Sequence, residues 1–182
     1  MVDQDALKEL LNIKHIKLRL LILLLILGGA VGCDQTSKTL ARRELRHVGS
    51  ISLPGGFGEL RLAENPGSFL SFGDSLPAPL RIALLTIGVG AGLLGLVTYL
   101  VRSNRLGFYS FIGFALVWAG GMSNLIDRVT RKGFVTDFVF LRVGPFHTGV
   151  FNAADVIIMA GLAVLVCDLW KQRHSRTPQP TS

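Results

Sequence analysis

The chain has 182 residues, 19 Lys and Arg against 12 Asp and Glu for a net charge of +7, and is 49% hydrophobic but only 17% charged. An aqueous domain carries roughly a quarter of its residues as charges; here the mean hydropathy is +0.48 and the apolar residues come in blocks. A soluble globular enzyme, a disordered tail and a collagen-like chain are excluded, and because the basic residues flank the apolar blocks rather than forming one patch with interleaved aromatics, so is a nucleic-acid partner.

The first apolar block, Leu20 to Cys33, is 14 residues, short of the roughly 20 that carry a helix across about 30 Å of hydrocarbon. It becomes a span if Arg19 snorkels and Asp34 is tolerated within it. Lys38 to Arg46 continues it as a basic helical segment, read as a solvated helix end touching lipid headgroups. Next, Ile51 to Leu53 and Leu60 to Leu62 flank the turn Pro54-Gly55-Gly56-Phe57-Gly58, which predicts a short hairpin or curled sheet on the membrane surface.

Ile82 to Val101 and Leu106 to Ile126 are charge-free runs of 20 and 21 residues, the second and third spans. Gly88 and Gly92 make a small-xxx-small pair in the former, which predicts close helix packing there. Gly133 to Leu141 is β-branched and aromatic and suits an extended segment folding back onto the membrane. Phe151 to Cys167, apolar except for Asn152 and Asp155, is the fourth span.

The expected architecture is an all-α membrane protein. Four transmembrane helices fill residues 18–170, residues 38–80 form a small extracytoplasmic β- and turn-rich segment, and tails 1–17 and 171–182 are cytoplasmic. Short basic segments (Lys14, Lys17 and Arg19; Arg102 and Arg105; Lys171, Arg173 and Arg176) place both termini in the cytoplasm. Trp118 and Trp170 fit packing or interface anchoring.

Ionisable groups in spans are costly and mark function by default. Asp34, Asp127, Asp137 and Asp155 lie near one membrane face. Arg105 to Asp127 is 22 residues, about 33 Å of helix, which takes Asp127 to the outer surface. Asp155, 16 residues before Lys171 and so about 24 Å from it, lies slightly deeper. Paired carboxylates in a partly dry site share a proton, so that one serves as base and the other as acid. Such a pair activates water against a peptide carbonyl; buried acids equally build a proton or ion pathway, and the residues alone leave both readings open. No competing chemistry is visible. His15, His47, His147 and His174 are scattered, Cys33 and Cys167 make neither a disulfide framework nor a zinc site, and neither a metal nor a cofactor is expected. A third reading treats Ala30-Val31-Gly32-Cys33, behind its basic and apolar stretches, as the signal of a lipoprotein precursor.

Four segments resemble the bacterial lipoprotein signal peptidase (signal peptidase II) family. They are Asp34-Gln35-Thr36-Ser37-Lys38, Glu64-Asn65-Pro66-Gly67, Asn124-Leu125-Ile126-Asp127-Arg128 followed by Phe134-Val135-Thr136-Asp137-Phe138, and Phe151-Asn152-Ala153-Ala154-Asp155. The 18-residue separation of Asp137 from Asp155 also fits the family's catalytic pair. The resemblance implies an intramembrane aspartyl endopeptidase of the inner membrane, acting near its outer face. It would cleave diacylglyceryl-modified prolipoproteins before the lipidated cysteine, as a monomer whose partners are those substrates and membrane lipids. By the same resemblance Asp137 and Asp155 are the dyad, while Asn124, Asp127, Arg128 and Asn152 hold it and the substrate backbone. Asp34, Lys38, Asn65 and Gly67 would line the site that the modified cysteine enters.

Two departures stand out. Ser68-Phe69-Leu70 replaces the family's usual Ala-Ala-Phe, and Ser123 takes the place of the glycine that commonly precedes the Asn-Leu-Ile-Asp-Arg asparagine. For the dyad, burial against Phe134, Phe138 and Phe151 should raise the carboxyl pKa values, with Arg128 engaged by its neighbour Asp127. A bell-shaped activity profile with a near-neutral optimum is expected.

Overall fold

The computed structural model describes residues 4–67 and 76–175, with side chains from Asn12 onward; the Ser68-Phe69-Leu70 departure lies outside them. Among the described residues, four helices are long and apolar enough to cross a membrane, and the chain is a multi-pass membrane protein. The first, α1, is one helix over Gln4–Val48. No proline interrupts it, and it ends where Gly49, at φ +77°, takes the left-handed conformation and returns its N–H to the Leu45 carbonyl at 2.9 Å. At 45 residues it is about 67 Å long, twice the hydrocarbon thickness, so the basic stretch after Lys38 is carried clear of the bilayer core.

The second helix, α2, spans Ala78–Arg102 and starts among Pro77 and Pro79, where a missing N–H costs nothing. A π-helical stretch, Ala83–Gly88, lies inside it. The third and fourth, α3 (Phe108–Thr130) and α4 (Ala153–His174), complete the bundle. Of the four, α3 is central: 44% of its most apolar stretch is buried, against 11% to 17% for the others. Leu23, Leu93, Leu100, Phe111, Ala115, Trp118 and Ala119 form the core around it. Leu24, Leu25, Ile87, Leu94 and Val166 point outward and exposed, a surface that hydrocarbon rather than water satisfies.

Two sequence-based expectations need correction here. Arg19 does not snorkel. It is 7% exposed, lies 5.0 Å over the Phe111 ring, and donates to the carbonyls of Leu100 at 2.8 Å and of Ser103. It thereby caps the C-terminus of α2, where unpaired carbonyls and the helix dipole favour a cation. Close helix packing also falls elsewhere than at Gly88 and Gly92. A Cβ at Gly92 would meet nothing within 4 Å, whereas at Gly161 it would lie 2.6 Å from the Gly113 carbonyl and at Gly120 2.7 Å from that of Ala154. It is α3 and α4 that approach backbone to backbone, as small residues allow.

At one end of the bundle lies an antiparallel sheet ordered β1-β2-β3-β4: Ser50–Ser52, Gly58–Asn65, Val135–Val143 and Phe146–His147. Its first two strands are the expected hairpin, and β3 is the expected extended segment. Gly58 is required by close approach, since a Cβ there would sit 2.1 Å from the Phe140 carbonyl. The β2–β3 register shifts between Leu60 and Ala63 and then sets Ala63 opposite Asp137 and Asn65 opposite Val135. Phe151, bridged to Val139, leads the chain off this sheet into α4. The sheet thus delivers Asn65 and Asp137 to the helix end that carries Asp155.

Candidate active site

Asp155 is fixed by the way α4 begins. Asn152 is the N-cap: its side-chain oxygen accepts from the Asp155 N–H at 3.0 Å, and Asp155 Oδ2 accepts from the Asn152 N–H at 3.1 Å. This reciprocal capping box satisfies two orphan donors of the first turn and leaves Asp155 Oδ1 for the third helix, where Asn124 Nδ2 donates to it at 3.0 Å. Asp137 is held by amides alone. Asn152 Nδ2 donates to its Oδ1 at 2.7 Å and Asn65 Nδ2 to its Oδ2 at 2.9 Å. The Asn152 side chain therefore touches Asp137 and caps the helix turn that carries Asp155.

Behind these acids lies a cluster built around Lys38, which is fully buried. Its ammonium reaches Asp34 Oδ2 at 2.7 Å, Asp127 Oδ2 at 3.0 Å and Asn124 Oδ1 at 3.0 Å. Three acceptors for three N–H donors leave nothing unpaired. Lysine can only donate, so the Asn124 oxygen must face it and the Asn124 amide N–H2 must face Asp155. Each of these carboxylates accepts two further hydrogen bonds. Asp34 accepts from Ser123 Oγ at 2.6 Å and the Ala154 N–H at 2.9 Å, and Asp127 from Gln35 at 3.0 Å and the Thr136 N–H at 3.1 Å. The bond to Thr136 ties α3 to the strand residue beside Asp137.

A cavity of about 800 Å³ opens over this arrangement, lined by Asp137, Asp155, Asn65, Asn124 and Arg128, with Phe151, Met159 and Leu162 on its apolar side. Mostly apolar walls with a few convergent polar groups are what a binding pocket requires. Burial pushes the Asp137 carboxyl up from 3.8 to about 6, against the hydrogen bonds from Asn65 and Asn152 and the charge of Lys38, and with the charge of Asp155.

All ten residues singled out from the sequence converge at this end of the molecule, in two layers. Asp137, Asp155, Asn65, Asn124 and Arg128 reach the cavity; Gly67 is held against it, its carbonyl accepting from Arg128 at 2.8 Å and its N–H donating to Asn65 at 2.9 Å. Asp34, Lys38, Asp127 and Asn152 are enclosed behind. Two readings change. The Lys38 region is no solvated helix end at Lys38 itself, because Asp34 and Asp127 draw the ammonium into the protein. Arg128 does not pair with Asp127; it turns the other way, to Gly67 and the cavity. Sequence reasoning missed Gln35, Thr136, His147 and Thr148. The first two sit inside motifs that were read for their acids, and the last two reach the cavity wall only because of the β3–β4 turn. No group of His, Cys, Asp and Glu suited to a metal occurs among the described residues.

Four membrane helices with two aspartates on the wall of a largely apolar cavity suit the class of membrane-embedded peptidases. Residues 26–171 match the family model of signal peptidase (SPase) II, and the chain belongs to that family, which makes it a peptidase of the aspartic type. A lipoprotein signal peptidase of Syntrophus aciditrophicus is 32% identical over 160 residues, 86% of this chain and 98% of that protein. One of Xylella fastidiosa (strain M12) is 33% identical over 164 residues, 87% and 95% of the two chains. A solved bacterial membrane enzyme shares the fold, with a TM-score of 0.70 at 21% identity over 88% of this chain and 94% of its own.

Proposed function

We propose that the protein removes signal peptides from diacylglyceryl-modified prolipoproteins, cleaving before the lipidated cysteine with water activated by Asp137 and Asp155. The observation that carries this reading is the bond from Asn152 Nδ2 to Asn124 Oδ1 at 3.2 Å: Asn152 also donates to Asp137 and Asn124 to Asp155, so the two amides hold carboxylates from different elements on one cavity. Burial raises the Asp137 carboxyl to about 6, so the pair holds one shared proton at mildly acidic pH, which is the state a dyad needs. The carboxylate takes a proton from water as its oxygen attacks the scissile carbonyl carbon, and the carboxylic acid gives its proton to the carbonyl oxygen. Breakdown of that diol returns a proton to the leaving amine, breaks the C–N bond and restores one shared proton to the pair.

Arg128 and the Gly67 turn supply charge and hydrogen-bonding groups for the substrate backbone. The apolar wall at Phe151, Met159 and Leu162 suits acyl chains. Asp34, Lys38 and Asp127 orient the dyad from behind through Asn124 and Thr136 rather than touching the modified cysteine. The enzyme would act as a monomer in the inner membrane, with both termini in the cytoplasm and the sheet end outside. The test is cleavage of a lipid-modified prolipoprotein by the purified full-length chain, with product masses read directly. Asp137→Asn and Asp155→Asn should each lower the rate by about 10³-fold or more. Retained activity in either variant, or pH-driven flux in liposomes without cleavage, would overturn the assignment.

A further inference from the structure

Beside the C-terminal part of α1, a second concavity of about 380 Å³ is lined by Thr39, Arg42, Arg43, Arg46, His47 and Arg131. Four arginines from two separate elements enter it. The carboxylates nearby are few: exposed Glu64 lies 3.4 Å from Arg131, exposed Glu44 lies 3.7 Å from Arg43, and the charge of buried Asp127, already paired with Lys38, reaches Arg42 through space. Arg42 and Arg46 have no acid within ion-pair distance among the described residues.

Arg42 is held in place. Its Nη1 donates to Thr136 Oγ1 at 3.1 Å and its Nη2 to Thr39 Oγ1 at 3.1 Å. Like charges gathered in a cleft repel unless an anion joins them, and a guanidinium cluster matches the oxygens of a phosphate. Position along the helix says which phosphate. Arg19 caps α2 at the opposite end of the bundle; Arg42 and Arg46 come 23 and 27 residues later, about 34 and 40 Å along the axis. That is the headgroup layer of a bilayer whose hydrocarbon is about 30 Å thick.

We propose that this cleft is a binding site for the phosphate of an anionic phospholipid headgroup, separate from the peptidase site. The lipid enters from the leaflet beside the sheet end, and its phosphodiester lies between Arg46 and Arg131 with Arg42 behind. Because Arg42 also bonds Thr136, the occupied cleft abuts the strand that carries Asp137. The site needs no assumption about the substrate, so it stands or falls independently of the peptidase mechanism.

The full-length protein in a neutral detergent, titrated with phosphatidylglycerol and examined by native mass spectrometry, tests this directly. Phosphatidylglycerol should be retained in preference to phosphatidylcholine of the same chains. The Arg46→Gln/Arg131→Gln variant leaves the Arg42–Thr136 bond intact and should bind it roughly 25-fold more weakly, about five-fold for each arginine removed. Excess inorganic phosphate should fail to displace the lipid. Unchanged lipid retention by the variant, or equal retention of phosphatidylcholine, overturns the site; displacement by phosphate alone at comparable affinity overturns the lipid as its ligand. Should that variant have a lowered melting temperature, Arg43→Gln/Arg46→Gln, confined to the exposed end of α1, carries the same test with the same outcomes.

Discussion

Asp34 and Asp127 are bound by a cation, whereas Asp137 and Asp155, a few ångströms of side chain away, are bound by amides. In the first pair Lys38 offsets one of the two negative charges, the Ala154 and Thr136 N–H groups and the Gln35 amide bond the carboxylates further, and both side chains are shut off from solvent. In the second, neutral Asn65, Asn124 and Asn152 fix the oxygens without supplying charge, and the carboxyls line the cavity. The same side chain is thus committed to ion pairing in one layer and left free to exchange a proton in the other. Asn124 joins the two: its oxygen faces the lysine and its nitrogen faces Asp155.

The comparison breaks most severely at Lys38. Lys38→Met would keep volume but strand two buried carboxylates and free the Asn124 amide to rotate. Removing one partner of a buried pair costs about 3–5 kcal/mol, so melting temperature and cleavage should both collapse. A variant that stayed as stable as the parent would show that the cluster is not held by its lysine.

The next largest effect separates the layers by pH. Asp137 has a folded value of about 6 against an ordinary 3.8, so between these values the native chain holds a proton that the unfolded chain has lost. Stability from this group is therefore present at low pH and is lost as pH rises from about 4 through 6. Relative to Asp137→Asn, the parent should lose up to about 3 kcal/mol over that window. Denaturant titrations of both proteins across it would reveal the trend. A constant difference would mean that burial does not govern the acid.

How much of this could be read from the sequence follows from where the contacts come from. Local patterns were legible: the hairpin around Pro54 to Gly58, the apolar lengths of α2 and α3, and the extended run at Asp137 each depend on neighbours in the chain. The acids stood out because charge in a span is costly. The role of Lys38 was not legible. Asp34 lies one helical turn before it, but Asp127 and Asn124 come from a helix some 90 residues further on, and only they turn a basic helix end into a buried hub. Arg19 was hidden for the same reason, its acceptors lying 81 to 87 residues away. The glycine contacts were misplaced at Gly88 and Gly92 because lipid and helix are equally apolar neighbours. Spacing alone does not say which of them a small residue faces.

The smallest effect concerns Ser123, buried beside Asp34. Its hydroxyl donates to Asp34 Oδ2 at 2.6 Å and accepts from Gln35 Nε2 at 3.3 Å. Asp34 Oδ2 already receives Lys38 at 2.7 Å, so losing the hydroxyl leaves the carboxylate paired and bonded. Ser123→Ala should therefore cost only about 1 kcal/mol, an ordinary hydrogen bond. Ser123→Gly should cost up to about 1 kcal/mol more, because glycine in a helix interior loses more backbone entropy than alanine. Neither change touches Asn124 Nδ2 or the dyad, so cleavage near neutral pH should stay within about two-fold of the parent, far below the 10-fold that a 1.4 kcal/mol loss of transition-state stabilisation would produce. Melting temperatures and cleavage rates of the two variants decide the matter together. A large fall in cleavage without a fall in stability would mean that Ser123 acts on the dyad, and that the closed and open layers are coupled through Asp34 as well as through Asn124.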